Sequence, residues 1–278
     1  MRTVLVIANE TIGGKPLIDA VRRYAAEEES RFVLCVPQTQ PRAGYVVYDD
    51  SVFDATQTRV DLAVGFVRSE GIEAVGEVGD PDPYAATMDA VREYNPDAII
   101  ISTYPESRSG WLRRDLPERL RHASGLPVEH VVADIDSDGL EFHITLAVAN
   151  RSASGDELLD ALKSRAQQEP HRQDRLFIVL VPQEGGGGAS ARRARTRLSL
   201  VLGRLRDAEL TAAGMIGDPD PYTAIMNALQ YFRVDDIVIS TLPETKSGWL
   251  RADLIQRVRN ATGRDVEHVV AHDPVRAA

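Results

Sequence analysis

Short apolar runs alternate with amphipathic segments along the whole chain. A continuous apolar run, typical of a strand covered on both faces, occupies positions 3–8, and further strands are predicted at 31–36, 73–78, 98–102 and 127–133. Between them, apolar residues recur at helical spacing, as in Leu17, Ile18 and Val21 and again in Val60 and Val64. Strands that alternate with helices predict a parallel sheet of the α/β class.

The chain carries this pattern twice. GDPDPY stands at Gly79–Tyr84 and again at Gly217–Tyr222, and the segments Ile101–Ala133 and Ile239–Ala271 align without a gap. The apolar run that begins at Phe142 restarts the order of elements. A repeat of this length indicates two copies of a whole domain. The sequence therefore predicts domains at 1–136 and 137–278.

Composition excludes several classes of function. The formal net charge of −10 argues against sequence-independent binding to a phosphate backbone, so we expect no nucleic-acid partner. The single cysteine, Cys35, excludes an internal disulfide and is interpreted as a small buried side chain. Met1 leads directly into a strand, and no window reaches the ~18 apolar residues of a membrane span. We expect a soluble, cytoplasmic protein with no membrane partner.

The order of elements resembles a universal stress protein domain, with GDP before the third helix, a serine at the end of the fourth strand and VEHVV near the end of each copy. The resemblance covers the chain as two domains in tandem. It implies an adenine-nucleotide alpha-hydrolase-like fold: five parallel strands ordered 3-2-1-4-5, helices on both faces, and a ligand crevice at the carboxyl ends of strands one and four. It also implies that the last strands pair across a pseudo-twofold axis as an intramolecular pseudo-dimer, which leaves further homo-oligomers open.

The nucleotide motif of that family is altered here. Members that hold ATP carry glycines after strand four, at positions that read Ser102, Pro105 and Asp115 in this chain, and Ser240, Pro243 and Asp253 in the second copy. Proline has no N–H to offer a phosphate, and an aspartate at a helix start can cap that helix itself. Asn9 and Asn150 stand near the place of the family's strand-one aspartate. These departures from the family's motif predict no ATP binding of the usual kind and no cofactor. The alternative is ATP or another adenine nucleotide in a remodelled crevice.

The crevice candidates are polar residues at strand ends and in the loop after strand four. They are Asn9, Ser102, Thr103, Arg113, Asp115, Asn150, Ser240, Thr241, Arg251 and Asp253. The acidic residues near each crevice, with Asp80, Asp82 and Glu106 in the first copy, fit either an oxygen-ligand metal site or helix capping, and we favour capping. Trp111 and Trp249 fit either a stacking ligand or a pin for the loop.

No complete catalytic set is evident. His130 and His268 lie in a strand and are interpreted as structural, and we expect no histidine beside the hydroxyls of Thr103 and Thr241. The run of arginines that ends at Arg197 is interpreted as a solvated helix face. The sequence thus predicts a non-enzymatic stress-response binding or regulatory module. A nucleotide-binding protein or weak nucleotide hydrolase, with a remodelled crevice in each domain, is the alternative.

Overall fold

The computed structural model describes residues 1–38, 49–105, 111, 115–168, 175–243, 248–251 and 253–271. They form two compact units, Met1–Glu141 and Phe142–Ala278, called here the first unit and the second unit. The division falls after the predicted Asp136, because the short helix at Ile135–Asp138 leads the chain back to the first unit. There Glu141 N donates to Gly13 O at 2.8 Å, and the Glu141 carboxylate pairs with Arg22 at 2.8 Å.

The first unit contains five strands and five helices among its described residues. In chain order they are β1 (Arg2–Ile7), α1 (Lys15–Glu27), β2 (Ser30–Pro37), α2 (Asp49–Ser69), β3 (Glu73–Gly79), α3 (Pro83–Tyr94), β4 (Ala98–Thr103), α4 (Leu116–Ser124), β5 (Val128–Val132) and α5 (Ile135–Asp138). The predicted irregular segment at 39–48 lies outside the described residues.

The second unit has the same order of strands, and its described residues include a short helix, α9, before the last helix. Its elements are β6 (His143–Val148), α6 (Asp156–Ala166), β7 (Arg175–Pro182), α7 (Gly188–Asp207), β8 (Ala212–Gly217), α8 (Pro221–Tyr231), β9 (Asp236–Thr241), α9 (Gly248–Arg251), α10 (Leu254–Thr262) and β10 (Asp265–Val270).

Each unit is built on one five-stranded parallel sheet. The strand order is β3-β2-β1-β4-β5 in the first unit and, read in the same direction, β8-β7-β6-β9-β10 in the second. All the strand pairs are parallel. The predicted fold class and strand order are therefore confirmed. The pairing of the two last strands stays a prediction.

Helices cover both faces of each sheet, so the central strands are buried on both sides. In the first unit, Val4 and Val6 of β1 pack with Val21 of α1 on one face. Leu5 and Ile7 of the same strand belong to the core on the other face, with residues of α3 and α4. Alternate residues of one strand thus feed two cores, which explains the unbroken apolar runs of the sequence.

The duplicated GDPDPY segment forms the start of a helix in both units. Asp82 accepts hydrogen bonds from the backbone N–H groups of Tyr84 and Ala85, and Asp220 accepts one from Thr223 N. The helix α3 ends at Asn95, which has a left-handed backbone. These caps satisfy N–H groups that no residue inside the helix can reach, as the sequence predicts for both aspartates.

Two further expectations concern burial and apolar length. Cys35 is free and fully buried, as predicted, and burial raises the pKa of its thiol well above the usual range. None of the described helices combines the length and the apolar character needed to cross a bilayer.

Candidate functional site

The candidate site lies at the carboxyl ends of β1 and β4 in the first unit and of β6 and β9 in the second. The strand order reverses at this point. From β1 the chain adds β2 and β3 on one side and then β4 and β5 on the other, and the second unit does the same around β6. The loops that leave two neighbouring strands on opposite faces open a crevice at such a point. Asn9, Ser102 and Thr103 stand at this edge in the first unit, and Asn150, Ser240 and Thr241 in the second.

Asn9 is held in place from two sides. Its Nδ2 donates to Pro37 O at 2.9 Å, and its Oδ1 accepts from Arg59 Nη1 of α2 at 2.5 Å. Burial lowers the pKa of the Arg59 guanidinium, while the Glu10 carboxylate and the Tyr104 phenol oppose that shift. Asn9 therefore serves as the anchor for a partly buried arginine, which sequence reasoning did not find.

Asn150 makes the equivalent contact in the second unit. Its Oδ1 accepts from Arg197 Nη1 of α7 at 2.6 Å, and Arg197 Nη2 also pairs with Glu184 at 3.0 Å. The interpretation of Arg197 as part of a solvated helix face is therefore wrong, because its guanidinium contacts two side chains. The repeat itself holds a signal for this contact. When the second helices of the two copies are aligned on the inward residues Val60 and Leu198, Arg59 and Arg197 occupy the same position.

The serines at the ends of β4 and β9 are tied by their backbone but not by their side chains. Thr11 Oγ1 donates to Ser102 O at 3.2 Å, and Ser152 Oγ donates to Ser240 O at 2.8 Å. Ser102 and Ser240 are 1% and 0% exposed. Neither hydroxyl has a hydrogen-bond partner among the described residues. Leaving a buried hydroxyl unpaired costs ~1–3 kcal/mol, so these two atoms are unusual.

A histidine lies beside each threonine, contrary to the expectation from sequence. His130 Nε2 is 2.9 Å from Thr103 Oγ1, and His268 Nε2 is 2.9 Å from Thr241 Oγ1. The reason is the strand register. Ile101 pairs with His130 in the parallel β4–β5 ladder, so the histidine shares a face with the threonine two residues further along β4.

In the first unit, the hydroxyl proton of Thr103 is donated to a backbone carbonyl and not to His130. Thr103 Oγ1 donates to Tyr104 O at 2.9 Å, so His130 Nε2 donates to Thr103. Burial lowers the pKa of both His130 and His268, and the neighbouring Arg121 and Arg259 add to the shift. Both rings are therefore neutral near pH 7.

Asp115 and Asp253 do not cap the helices that follow them, so this prediction is wrong. Both have a left-handed backbone, with φ of 51°, and neither carboxylate accepts a capping hydrogen bond. Side-chain capping needs an extended backbone at the cap, which directs the oxygen toward the first turn. The left-handed form is the one that glycine adopts most easily, so both positions have a backbone conformation that suits glycine.

The other predicted site residues are dispersed. Asp115 lines a surface concavity with Tyr84, Glu118 and Arg119, and it makes no hydrogen bond or ion pair with the described residues at the strand ends. Glu106, Leu112, Arg113 and Glu244 lie outside the described residues, and so does the side chain of Arg251. Trp111 packs against the first unit's core, in agreement with its interpretation as a pin.

The second unit has a cavity at the crevice. Its volume is about 80 Å³, and its lining brings together three of the predicted residues: Asn150, Ser240 and Thr241. The rest of the lining is Arg151, Ser152, Leu242, Gly248 and Trp249. A buried water needs only ~10–15 Å³, so a group of several atoms fits.

The charge at the crevice mouth differs between the units. In the first unit, Tyr104 donates its hydroxyl proton to Glu10 Oε2 at 3.0 Å. In the second unit, the corresponding positions hold Leu242 and Arg151. Among the described residues, no group of three or more His, Cys, Asp or Glu side chains is arranged to hold a metal ion.

Comparisons with solved structures return universal stress proteins, the family that the sequence resembles. One from Archaeoglobus fulgidus is 14% identical, with 97% of this chain and 96% of that chain covered and a TM-score of 0.33. One from Burkholderia pseudomallei is 18% identical, with 46% and 93% covered and a TM-score of 0.34. One from Arabidopsis thaliana with AMP bound is 13% identical, with 49% and 95% covered and a TM-score of 0.33. No protein-family model and no curated protein matches the chain.

Proposed function

We propose that this protein is a non-enzymatic binding or regulatory module of a stress response, which takes a small ligand in the crevice of its second unit. The observation that carries the binding role is the cavity beside Ser240, whose buried hydroxyl has no partner among the described residues. A ligand that reached this hydroxyl would recover the ~1–3 kcal/mol that an unpaired buried group costs. The stress-response role rests on the resemblance of the repeated segments to universal stress protein domains.

Two features favour a ligand other than ATP bound in the family's usual way. Pro105 and Pro243 have no N–H to donate to a phosphate. Asp115 and Asp253 place exposed carboxylates at the helix starts, where the phosphates of an ATP bound in the family's usual way would meet like charge. A nucleotide would have to lie differently from those of the family.

The surroundings of the threonines favour binding over catalysis. A nucleophilic hydroxyl needs a base that is itself oriented by a third group, usually a carboxylate. The charged neighbours that shift the pKa of His130 and His268 are Arg121 and Arg259, which are cations and oppose the imidazolium that a base must form.

One observation favours the alternative, a weak nucleotide hydrolase. Thr241 lines the cavity, its Oγ1 is 2.9 Å from His268 Nε2, and the lowered pKa of His268 leaves that ring neutral and able to accept a proton. If the second crevice hydrolyses ATP, Thr241→Val removes phosphate release and the matched Thr103→Val leaves it unchanged.

A thermal-shift screen and a phosphate-release assay on the full chain test the proposal together. The screen compares ATP, ADP, AMP, cyclic nucleotides and a set of small metabolites at millimolar concentration. A ligand at 100 times its dissociation constant adds ~2.7 kcal/mol, which raises Tm by several degrees. We expect a shift with a small metabolite and no phosphate release. Steady release from ATP that Asp115→Ala with Asp253→Ala abolishes would overturn the proposal, and so would a screen without any shift.

A further inference from the structure

Among the described residues that line the cavity of the second crevice, the polar side chains offer hydrogen-bond donors and none is acidic. The residues around its cavity include no Asp or Glu, and Glu184, the nearby acid, is paired with Arg197 and Arg193 at 3.0 and 3.4 Å. Because Asn150 Oδ1 already accepts from Arg197, the group that Asn150 has left to offer is its NH₂ donor. The polar side chains of this wall therefore suit an acceptor.

Arg151 adds a positive charge at the mouth. It lines the cavity, is exposed, and makes no ion pair or hydrogen bond with any other residue that the structure describes. A guanidinium presents a fixed fork of donors that matches the two oxygens of a carboxylate or phosphate. Since Arg151 has no partner among the described residues and lies at the mouth of a donor-lined cavity, it is suited to bind an oxyanion.

Ser240 supplies the second, independent observation. Its hydroxyl is fully buried, has no partner among the described residues, and belongs to a residue that lines the cavity. A hydroxyl can donate to an anionic oxygen, and hydrogen bonds to charged acceptors are roughly twice as strong as neutral ones.

We propose that the second unit's crevice is a receptor for a small oxyanion group, a carboxylate or a phosphate, held by Arg151, Ser240 and the NH₂ group of Asn150. This inference rests on the proposed binding function and deepens it. The first unit does not share the site. Its counterpart of Arg151 is Glu10, whose carboxylate accepts from Tyr104, so an anion there meets a negative charge. One fold thus presents one anion-binding crevice and one that repels anions.

Trp249 provides the readout, because it is one of the residues that line the same cavity. The experiment titrates the full chain with sodium phosphate and, in a second arm, with sodium acetate, and follows tryptophan fluorescence against sodium chloride at equal ionic strength. Trp111→Phe removes the other tryptophan signal. The two arms decide whether phosphate or carboxylate is the preferred group. We expect saturable binding with at least one of the two anions.

Paired substitutions assign the binding to the second crevice. Arg151→Glu should weaken it about tenfold or more, since one charge-assisted contact is lost and a repulsive charge is added. Glu10→Arg, the reverse change in the first unit, should leave the fluorescence titration unchanged. Ser240→Ala should weaken binding and Ser102→Ala should not. Thermal melts of each variant report whether it is folded.

Several results would overturn the inference. They are equal affinity in Arg151→Glu and the parent, equal loss in Glu10→Arg, or no response to either anion beyond that to chloride. If neutral metabolites still shift Tm while both anions give no response, the binding function stands and the oxyanion assignment falls. If no compound of any class shifts Tm, the binding function itself falls.

Discussion

At the amino ends of the central strands, the two units fill the same positions with opposite chemistry. In the first unit Val4 of β1 lies beside Ala98 of β4, and both are buried. In the second unit the corresponding neighbours are Thr145 of β6 and Asp236 of β9. One unit thus closes this end of its sheet with apolar contacts, and the other closes it with a buried carboxylate.

That carboxylate is the centre of an ion network. Asp236 contacts Arg175 at 2.6 Å, Arg165 at 2.8 Å and His143 at 2.8 Å, and both arginines and the aspartate are less than a tenth exposed. Burial alone would raise the pKa of Asp236, but hydrogen bonds from His143, Arg175 and Thr145, with the charge of Arg165, hold it below the ordinary value.

The comparison shows that the fold does not depend on either solution. A satisfied buried ion pair often contributes no more stability than apolar residues of similar size, because desolvation offsets the attraction. The two units differ in stability at this end only when one member of the ion network is removed, since the remaining charges then stay buried. The network makes the second unit more sensitive to mutation at this end, without making it more stable.

The largest effect on stability is expected when the carboxylate at the centre of the ion network is removed. Asp236→Ala removes the carboxylate that pairs with buried Arg175, while Arg165 keeps its ion pairs with Asp265 and Glu267. Because the charge of Arg175 then stays buried without a carboxylate, we expect the free energy of unfolding to fall by about 3–5 kcal/mol. Urea titration of the full chain measures the loss. The control Glu73→Gln removes an exposed partner of Arg31 and should cost ~1 kcal/mol at most. A loss in Asp236→Ala as small as the control's would show that the network does not constrain the fold.

Replacing Asp115 or Asp253, the two aspartates with a left-handed backbone, should have the same effect on stability in both units. Glycine tolerates φ of 51° without the ~1–2 kcal/mol that a side chain adds there, so Asp115→Gly and Asp253→Gly should each raise stability by ~1 kcal/mol. The matched change at a true cap, Asp82→Ala, should lower stability by ~1 kcal/mol. If both types of change destabilise in urea titration, the carboxylates of Asp115 and Asp253 have a stabilising role beyond backbone conformation.

The smallest effect concerns pH. Since the pKa of His130 and His268 is lower in the folded chain than the ordinary 6.5, the native state favours the neutral rings. Their contribution to stability is complete above pH 6.5 and is lost as pH falls through that value toward the folded pKa. Tm should therefore decline slightly below pH 6.5. The pair His130→Gln with His268→Gln should flatten that decline, and exposed His122→Gln should not. An unchanged slope in the double variant would rule out these two rings as its source.

The fold could be predicted from the sequence because its signals are local. Apolar runs, helical spacing, the caps at Asp82 and Asp220 and the stop at Asn95 each depend on a few consecutive residues. The duplicated segment added a second, independent copy of the same signals. The strand order came from the family resemblance, and the parallel ladders agree with it.

The site was harder to predict because its contacts join residues far apart in the chain. Arg59 reaches Asn9, and Arg165 reaches Asp236, across separations that no spacing rule covers. His130 and Thr103 meet only through the register of neighbouring strands. Asp115 was expected to cap α4 because aspartate is a common capping residue. The sequence does not reveal its left-handed backbone, with which its side chain makes no capping hydrogen bond.

The close likeness of the duplicated segments has a structural explanation in contacts that recur. Arg119 stacks on the Tyr84 ring at 4.5 Å, and Arg257 stacks on Tyr222 at 4.3 Å. Arg121 donates to Val128 O as Arg259 donates to Val266 O. These repeated contacts join α3, α4 and β5 in the first unit and α8, α10 and β10 in the second. Retention of the segment therefore follows from packing within each unit.

The ion network around Asp236 also limits the order in which the two copies could diverge. From an apolar arrangement like that of Val4 and Ala98, a single change to a charged residue would bury an isolated charge, and each intermediate would be less stable than either end state. The substitutions at Arg165, Arg175 and Asp236 are therefore interdependent, and their energetic effects cannot add. Exchange of a short stretch between the two copies, such as β4 for β9, would separate these partners. Divergence at the amino ends of the strands is thus effectively irreversible by single steps.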